Sequence, residues 1–184
     1  MVEEATLVET ESGLEPEGPG WFVVNARDAA WWRHREVFGF GCRFECLDSE
    51  AEFPQIGFVL RVLQPGEPNC RYHAESDQED FLVLQGECLL LVEEEERPLK
   101  AWDFVHCPPG TPHVFVGAGD GPCVILMVGA RLPEGTIVYP VSELARRHGA
   151  SVERETNDPH EAYADLPPRR RERLPELGLP WQVA

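Results

Sequence analysis

From residue 57 to residue 128 the chain is a succession of short apolar runs, and none shows the three-to-four spacing that buries one face of a helix. The runs at 57–64, 72–75, 81–85, 88–92, 97–100, 104–107, 113–116 and 123–128 each have the length of a strand. Many short strands punctuated by Gly and Pro predict a sandwich or barrel. Gly86-Glu87 marks a turn, and the four consecutive glutamates at 93–96 suit a hairpin tip. Adjacent side chains on a strand point to opposite faces, so the acidic run reads as a solvated turn and not as a cation site.

With 184 residues there is room for one core plus extensions. Residues 1–20 combine Glu, Gly and Pro and read as a flexible acidic arm. Residues 21–56 read as an aromatic N-terminal wrap. Within it 21–25 reads as a strand, Asn25 is placed to cap a short helix through 29–32, and 42–47 alternates like a half-buried strand. The barrel itself is assigned to 57–131. The extension at 132–184 is partly helical: Ser142 starts a helix that Gly149 ends, and 158–164 carries another turn or two. Arg169-Arg170-Arg171-Glu172-Arg173 is the basic cluster of the chain. It reads either as an anion-binding tail or, the favoured reading at this charge, as a solvated segment packing near the acidic arm.

Two segments carry chemistry: 66–86, with His73, Glu75 and Glu79, and 103–113, which ends on Pro108-Pro109-Gly110-Thr-Pro-His113. His73 and Glu75 alternate onto one face of a strand, and Glu79 opens the next strand beyond Ser76-Asp77-Gln78. The Pro-Pro-Gly turn delivers His113 on a neighbouring strand. If the shared face is the barrel interior, three strands bring their side chains to one point. Imidazole nitrogen with carboxylate oxygen suits one divalent ion of zinc, iron, manganese or nickel better than calcium or magnesium. The expected ligands are His73, Glu75, Glu79 and His113, with Asp77 or Asp80 able to replace Glu79 after a small change of register. Glu75 keeps two open roles, ligand or catalytic acid/base group beside the ion. Without it, two histidines and a carboxylate have the composition of the facial triad of non-haem iron oxygenases.

The remaining candidates read as bystanders or lining. His106 alternates out of phase with Val105 and Cys107 and reads as facing away from the lumen. His34, His148 and His160 lack metal-spaced neighbours and read as surface residues. Phe81, Val83, Val105 and Met127 would give the lumen an apolar lining suited to a small organic ligand. Arg61 is either a surface residue or a partner for a carboxylate substrate.

The two segments resemble the paired motifs of the cupin superfamily. Gly66, His73, Glu79 and Gly86 take positions of the first motif, and Pro108, Gly110 and His113 those of the second. Three positions depart: Glu75 stands at the second histidine of the first motif, Trp102 at the first glycine of the second, and Gly117 at its asparagine. The family's usual site of three histidines and one glutamate would therefore carry Glu75 in place of one histidine. The resemblance covers about residues 57–131. It implies an all-β fold, a double-stranded β-helix or jelly-roll barrel, with an N-terminal strand extension and a partly helical tail. It also implies a homodimer, for which edge strands and the Trp-rich N-terminal region are physically sensible contacts.

Charge and cysteine usage narrow the partners. A net charge of −17 argues against nucleic acid or anionic lipid. The first twenty residues lack the basic start and apolar run of an export signal, and no apolar stretch approaches a membrane span. Six dispersed cysteines with no Cys-x-x-Cys pair lead to the expectation of a cytoplasmic protein without disulfides, Cys42 and Cys46 being the best remaining pair. No nucleophile elbow, phosphate loop or dinucleotide fingerprint is present. The functional expectation is a metal-dependent enzyme of oxygenase or isomerase type acting on a small organic molecule. The alternative is a non-catalytic module that binds metal or a small ligand.

Overall fold

The structure, a computed structural model, describes residues 1–46 and 52–182. The strands are β1 (Thr6–Thr10), β2 (Gly13–Glu17), β3 (Trp32–Arg33), β4 (Phe40–Cys42), β5 (Ile56–Leu63), β6 (Ala74–Glu75), β7 (Glu79–Gln85), β8 (Glu87–Val92), β9 (Glu95–Lys100), β10 (Phe104–Cys107), β11 (His113–Ala118), β12 (Cys123–Ala130), β13 (Ile137–Val138) and β14 (Arg170–Arg171). Two short helices follow β13, α1 (Glu143–Arg147) and α2 (Pro159–Ala162). One antiparallel sheet runs in the order β10-β7-β12-β5-β4-β3-β14, and a second in the order β11-β8-β9. A pair of backbone bonds between His73 and His113 lays the start of β6 beside β11, and β6 pairs in turn with β13.

The two sheets close on a single apolar core. Phe81, Val83, Ile125 and Leu63 from the large sheet meet Cys88, Leu90 and Phe115 from the small one. This is the double-stranded β-helix that the motif resemblance implies, within the sandwich-or-barrel class that the strand spacing predicts. Every strand expected between 57 and 128 is present, with no end moved by more than two residues. At the β8–β9 turn Glu93 and Glu94 take φ of 49° and 62°, the left-handed pair of a two-residue hairpin. Trp102, at the motif's glycine position, also has a left-handed φ of 76°, a backbone that favours glycine at the same place.

The flanks depart more from expectation. Within the acidic stretch 1–20, β1 and β2 form a hairpin, fastened by Leu14 N–H to Asp28 O (2.7 Å) and Trp31 N–H to Ser12 O (3.2 Å). No strand forms at 21–25; Trp21 makes only a bridge to Glu4. Asn25 caps a single turn and no helix follows, because Ala30 N–H turns to the hairpin carbonyl of Leu14 (3.0 Å) instead of continuing along its own segment. The strand expected at 42–47 does not form over 43–46: β4 ends at Cys42, and Phe44 with φ of 59° breaks the extended run. Leu47 lies outside the described residues. Trp31 is buried and stacks on Trp181 of the tail, ring centroids 6.1 Å apart.

The tail follows its caps. Ser142 Oγ accepts from Ala145 N–H at 3.0 Å to start α1, and Gly149 takes the left-handed φ of 69° beyond its end. Asp158 caps α2 through His160 N–H at 2.8 Å. The basic cluster packs against the acidic hairpin, with Arg171 paired to Glu15 and Arg173 to Glu9, and β14 joins the large sheet beside β3. No described helix is long and apolar enough to cross a membrane.

Candidate metal centre

The end of the cavity between the sheets is framed by three elements. His113 is the first residue of β11, His73 immediately precedes β6, and Glu79 opens β7 in the facing sheet. Reciprocal bonds, His113 N–H to His73 O at 2.9 Å and His73 N–H to His113 O at 3.2 Å, set the two histidines directly opposite each other. Their ring centroids are 5.1 Å apart. Gly110, with φ of 83°, turns the chain into His113, and its N–H is held by Glu75 O at 2.7 Å.

Each ring is oriented by a carbonyl. His73 Nδ1 donates to Arg71 O at 2.8 Å, and His113 Nδ1 to Thr111 O at 3.0 Å. A carbonyl only accepts, so both Nδ1 atoms carry hydrogen and each Nε2 is the ring nitrogen turned toward the carboxylates, with a lone pair to offer a cation once it is unprotonated. This is the outer support that metal-binding imidazoles generally have. Nε2 of His113 stands 3.5 Å from a Glu79 carboxylate oxygen. One ligand atom each from His73, Glu79 and His113 lies within 4.8 Å of the other two, close enough to share one cation. Glu75 stands at the edge of this group, 3.6 Å from His73 Nε2 and about one third exposed.

The charges of these groups are interlocked. Burial holds His113 down to about 4, and the adjacent His73 ring adds to this. Burial also opposes a proton on His73, but Cys70, Glu75 and Glu79 outweigh it and raise its pKa well above the ordinary value. Contact with His73 keeps the Glu75 carboxyl ionised below its usual range. Burial pushes Glu79 up to about 7, against the pull of His73. One positive charge among two carboxylates and two imidazoles is thus favoured at this point, and a divalent cation satisfies the same demand with more ligands.

The other sequence candidates separate cleanly. Asp77 is committed to Leu132 N–H at 2.9 Å, and Asp80 to His106 Nδ1 at 2.7 Å on the exposed side of β7 and β10, so neither replaces Glu79. His106 faces outward, as its alternation predicts. His148 pairs with Glu96 and His160 is exposed. His34 corrects the surface reading: it is buried, packed on Phe38 and Tyr163, because α2 and the residues after it fold back over the wrap. Phe81, Val83 and Met127 belong to the core cluster and Val105 packs against it. Cys70, whose Sγ lies 3.5 Å from His73 Nδ1, and Tyr139, whose ring is tilted 36° to the His73 ring with centroids 5.9 Å apart, border the site without any motif announcing them.

A cavity of about 340 Å³ opens on this centre, lined by His73, Glu75, Glu79, Met127, Tyr139 and a set of arginines. With fold and site in place, comparison with known proteins gives a consistent family. Residues 59–129 match the family described as Cupin domain, which supports cupin superfamily membership for the barrel region. No curated protein matches it. Among solved structures it is similar to a provisionally named sugar phosphate isomerase from Acidithiobacillus ferrooxidans, at 26% identity over 55% of this chain and 66% of that one, TM-score 0.49. It is also similar to a sugar phosphate isomerase of the cupin superfamily from Silicibacter pomeroyi, at 30% identity over 53% of this chain and 62% of that one, TM-score 0.46. The chain therefore spans slightly less than two thirds of the length of these two proteins. A predicted oxalate decarboxylase from Thermotoga maritima shares the fold at 19% identity, TM-score 0.50, over 60% of this chain and 99% of that one.

Proposed function

We propose that the protein is a metal-dependent enzyme acting on a small organic molecule in the cavity, with His73, Glu79 and His113 holding one divalent ion and Glu75 moving a proton. The observation that carries this reading is the convergence of one ligand atom from each of His73, Glu79 and His113 within 4.8 Å, each ring already fixed from behind by a backbone carbonyl. The donor set fits zinc, iron, manganese or nickel. Such an ion, when bound, supplies Lewis acidity toward a carbonyl or hydroxyl of the substrate. The protein supplies the rest. Phe81, beside His113, and the barrel lining exclude water from the inner face, while Glu75, ionised and reachable from the cavity, is placed to take a proton from a substrate carbon or oxygen and return it. That is isomerase-type chemistry. Three protein ligands also leave positions open for dioxygen, which is the observation favouring the oxygenase reading.

The test is elemental analysis of protein purified without added metal, beside His113→Ala and Glu75→Gln. We expect stoichiometric metal in the wild type, loss of it in His113→Ala with the fold retained, and full metal in Glu75→Gln. Turnover across a panel of small carbonyl and sugar-like compounds should fall about 100-fold or more in Glu75→Gln, the scale of a lost acid/base group. Dioxygen uptake with turnover selects the oxygenase. Metal retained by His113→Ala removes the proposed centre, and metal without turnover leaves a binding module.

A further inference from the structure

Five arginines, Arg35, Arg43, Arg61, Arg131 and Arg169, line the cavity that contains the metal centre. Arg131 is paired with Glu45, and Arg35 lies over the Tyr163 ring. The side chains of the other three make no ion pair or hydrogen bond among the described residues. They also face a second, adjoining cavity of about 220 Å³, whose acids are engaged elsewhere: Glu15 with Arg171 and Glu45 with Arg131.

Arg61 is the most telling of the three. On β5 it lies between Val59 and Leu63, both of which pack in the barrel core, and opposite Ile125 of the same core. Period-two alternation therefore puts its side chain on the lumen face. Its Nε is buried and unpartnered. Room for the guanidinium comes from Gly41 across the strand pair, where an added Cβ would stand 2.9 Å from Arg61 Nη1. Burial, then mutual repulsion, acts on the cluster: Arg43 is lowered to about 10 by desolvation and by Arg169 and Arg61, and Arg61 is lowered chiefly by desolvation. Gathering unpaired cations in a half-closed cavity is unfavourable. Among the described residues no carboxylate forms an ion pair with these three: Glu45 attracts Arg43 at longer range but is committed to Arg131. An external anion would supply the partner they lack there. All three are arginine, in a chain with fifteen arginines and one lysine, and the planar fork suits carboxylate or phosphate oxygens.

We propose that Arg43, Arg61 and Arg169 form an oxyanion pocket in the same cavity as the metal centre, and that the substrate is a small molecule bearing a carboxylate or phosphate group. This rests on the cavity being the substrate site, but the arginines bind the anion independently of the ion. The test is calorimetric titration of inorganic phosphate, and separately of malonate, into the full chain with metal and after chelation. We expect saturable binding of at least one of the two, one per chain, in both forms. Arg61→Gln and Arg43→Gln should weaken it about ten- to hundredfold, the effect of losing a charge-assisted bond, with metal content unchanged. The preferred probe tells phosphate from carboxylate. Arg61→Gln should melt no lower than the wild type, since it removes a buried unpaired charge, and this separates lost binding from lost folding. No saturable binding of either anion, or equal binding by wild type and both variants, overturns the pocket. Anion binding that vanishes on chelation and ignores Arg61→Gln overturns it too, by placing the anion on the ion. Phosphate or malonate binding retained by a His113→Ala protein that still holds its metal supports the pocket and sinks only the metal ligands.

Discussion

In the barrel, Leu63, Val83, Phe115 and Ile125 are wholly buried against one another, and the sheets that carry them share long antiparallel ladders. In the layer around it, a smaller apolar cluster that buries Trp31 and Leu179 is supplemented by arginine–carboxylate pairs, Arg171 with Glu15, Arg173 with Glu9 and Arg170 with Glu36. Arg33 with Glu67 and Arg71 with Asp165 tie that layer to the barrel segment. Apolar burial is insensitive to salt and nearly so to pH, whereas exposed ion pairs are individually weak and screened. The comparison teaches that the rigid and the yielding halves of the cavity have different sources. The metal side belongs to the barrel, and the arginine side belongs partly to a layer that solution conditions can loosen.

The sharpest way to break this comparison is in the core. Phe115→Ala should cost about 3–5 kcal/mol, seen as a lower urea midpoint with the whole molecule melting together. If the flanks unfold unaffected by it, they are not supported by the barrel.

A smaller effect is expected from acid. His34 is buried among Arg61, Arg169, Arg35 and Arg43; burial first, then those charges, hold its pKa far below 6.5 in the folded chain. In the unfolded chain the ring titrates near 6.5, so the unfolded state binds the extra proton. Stability from this group is therefore complete above about pH 6.5 and falls as the pH is lowered, by about 1.4 kcal/mol per unit. Denaturation midpoints at pH 7, 6 and 5 measure the slope, and His34→Gln should flatten it. A slope that persists in His34→Gln assigns the acid sensitivity to other groups.

The smallest effect belongs to the clamp on the tail. Arg71 donates to both oxygens of Asp165, at 2.8 and 2.6 Å, and to Ser151 O at 2.8 Å. Asp165 is two thirds exposed (66%), so Asp165→Asn should remove about 1 kcal/mol or less. Its signature is local: faster proteolysis within 150–182, with amide protection in β5, β7 and β12 unchanged.

Much of the barrel was legible because it is built by local rules. Alternation, turn glycines and strand length are written in consecutive residues, and His73, Glu79 and His113 lie where their motifs put them. Ser142 and Asp158 likewise announce helix starts by side chain alone. What stayed hidden depends on contacts between distant segments. His34 is buried by Tyr163, and Ala30 leaves its turn for the hairpin. Arg61 was half legible: a lone cation between Val59 and Leu63, on an otherwise apolar face, is a lumen position by alternation, but only the pairing with β4 and β12 shows that its cross-strand neighbours are Gly41 and Ile125 and not acids.

Arg169 reaches the cavity because β14 pairs with β3, and β3 with β4, across most of the chain. During synthesis the strands bearing the metal-binding side chains emerge from the ribosome well before that arginine does. The last wall of the chamber is hung on a finished frame, and a nascent chain halted short of residue 169 is a barrel with one side open.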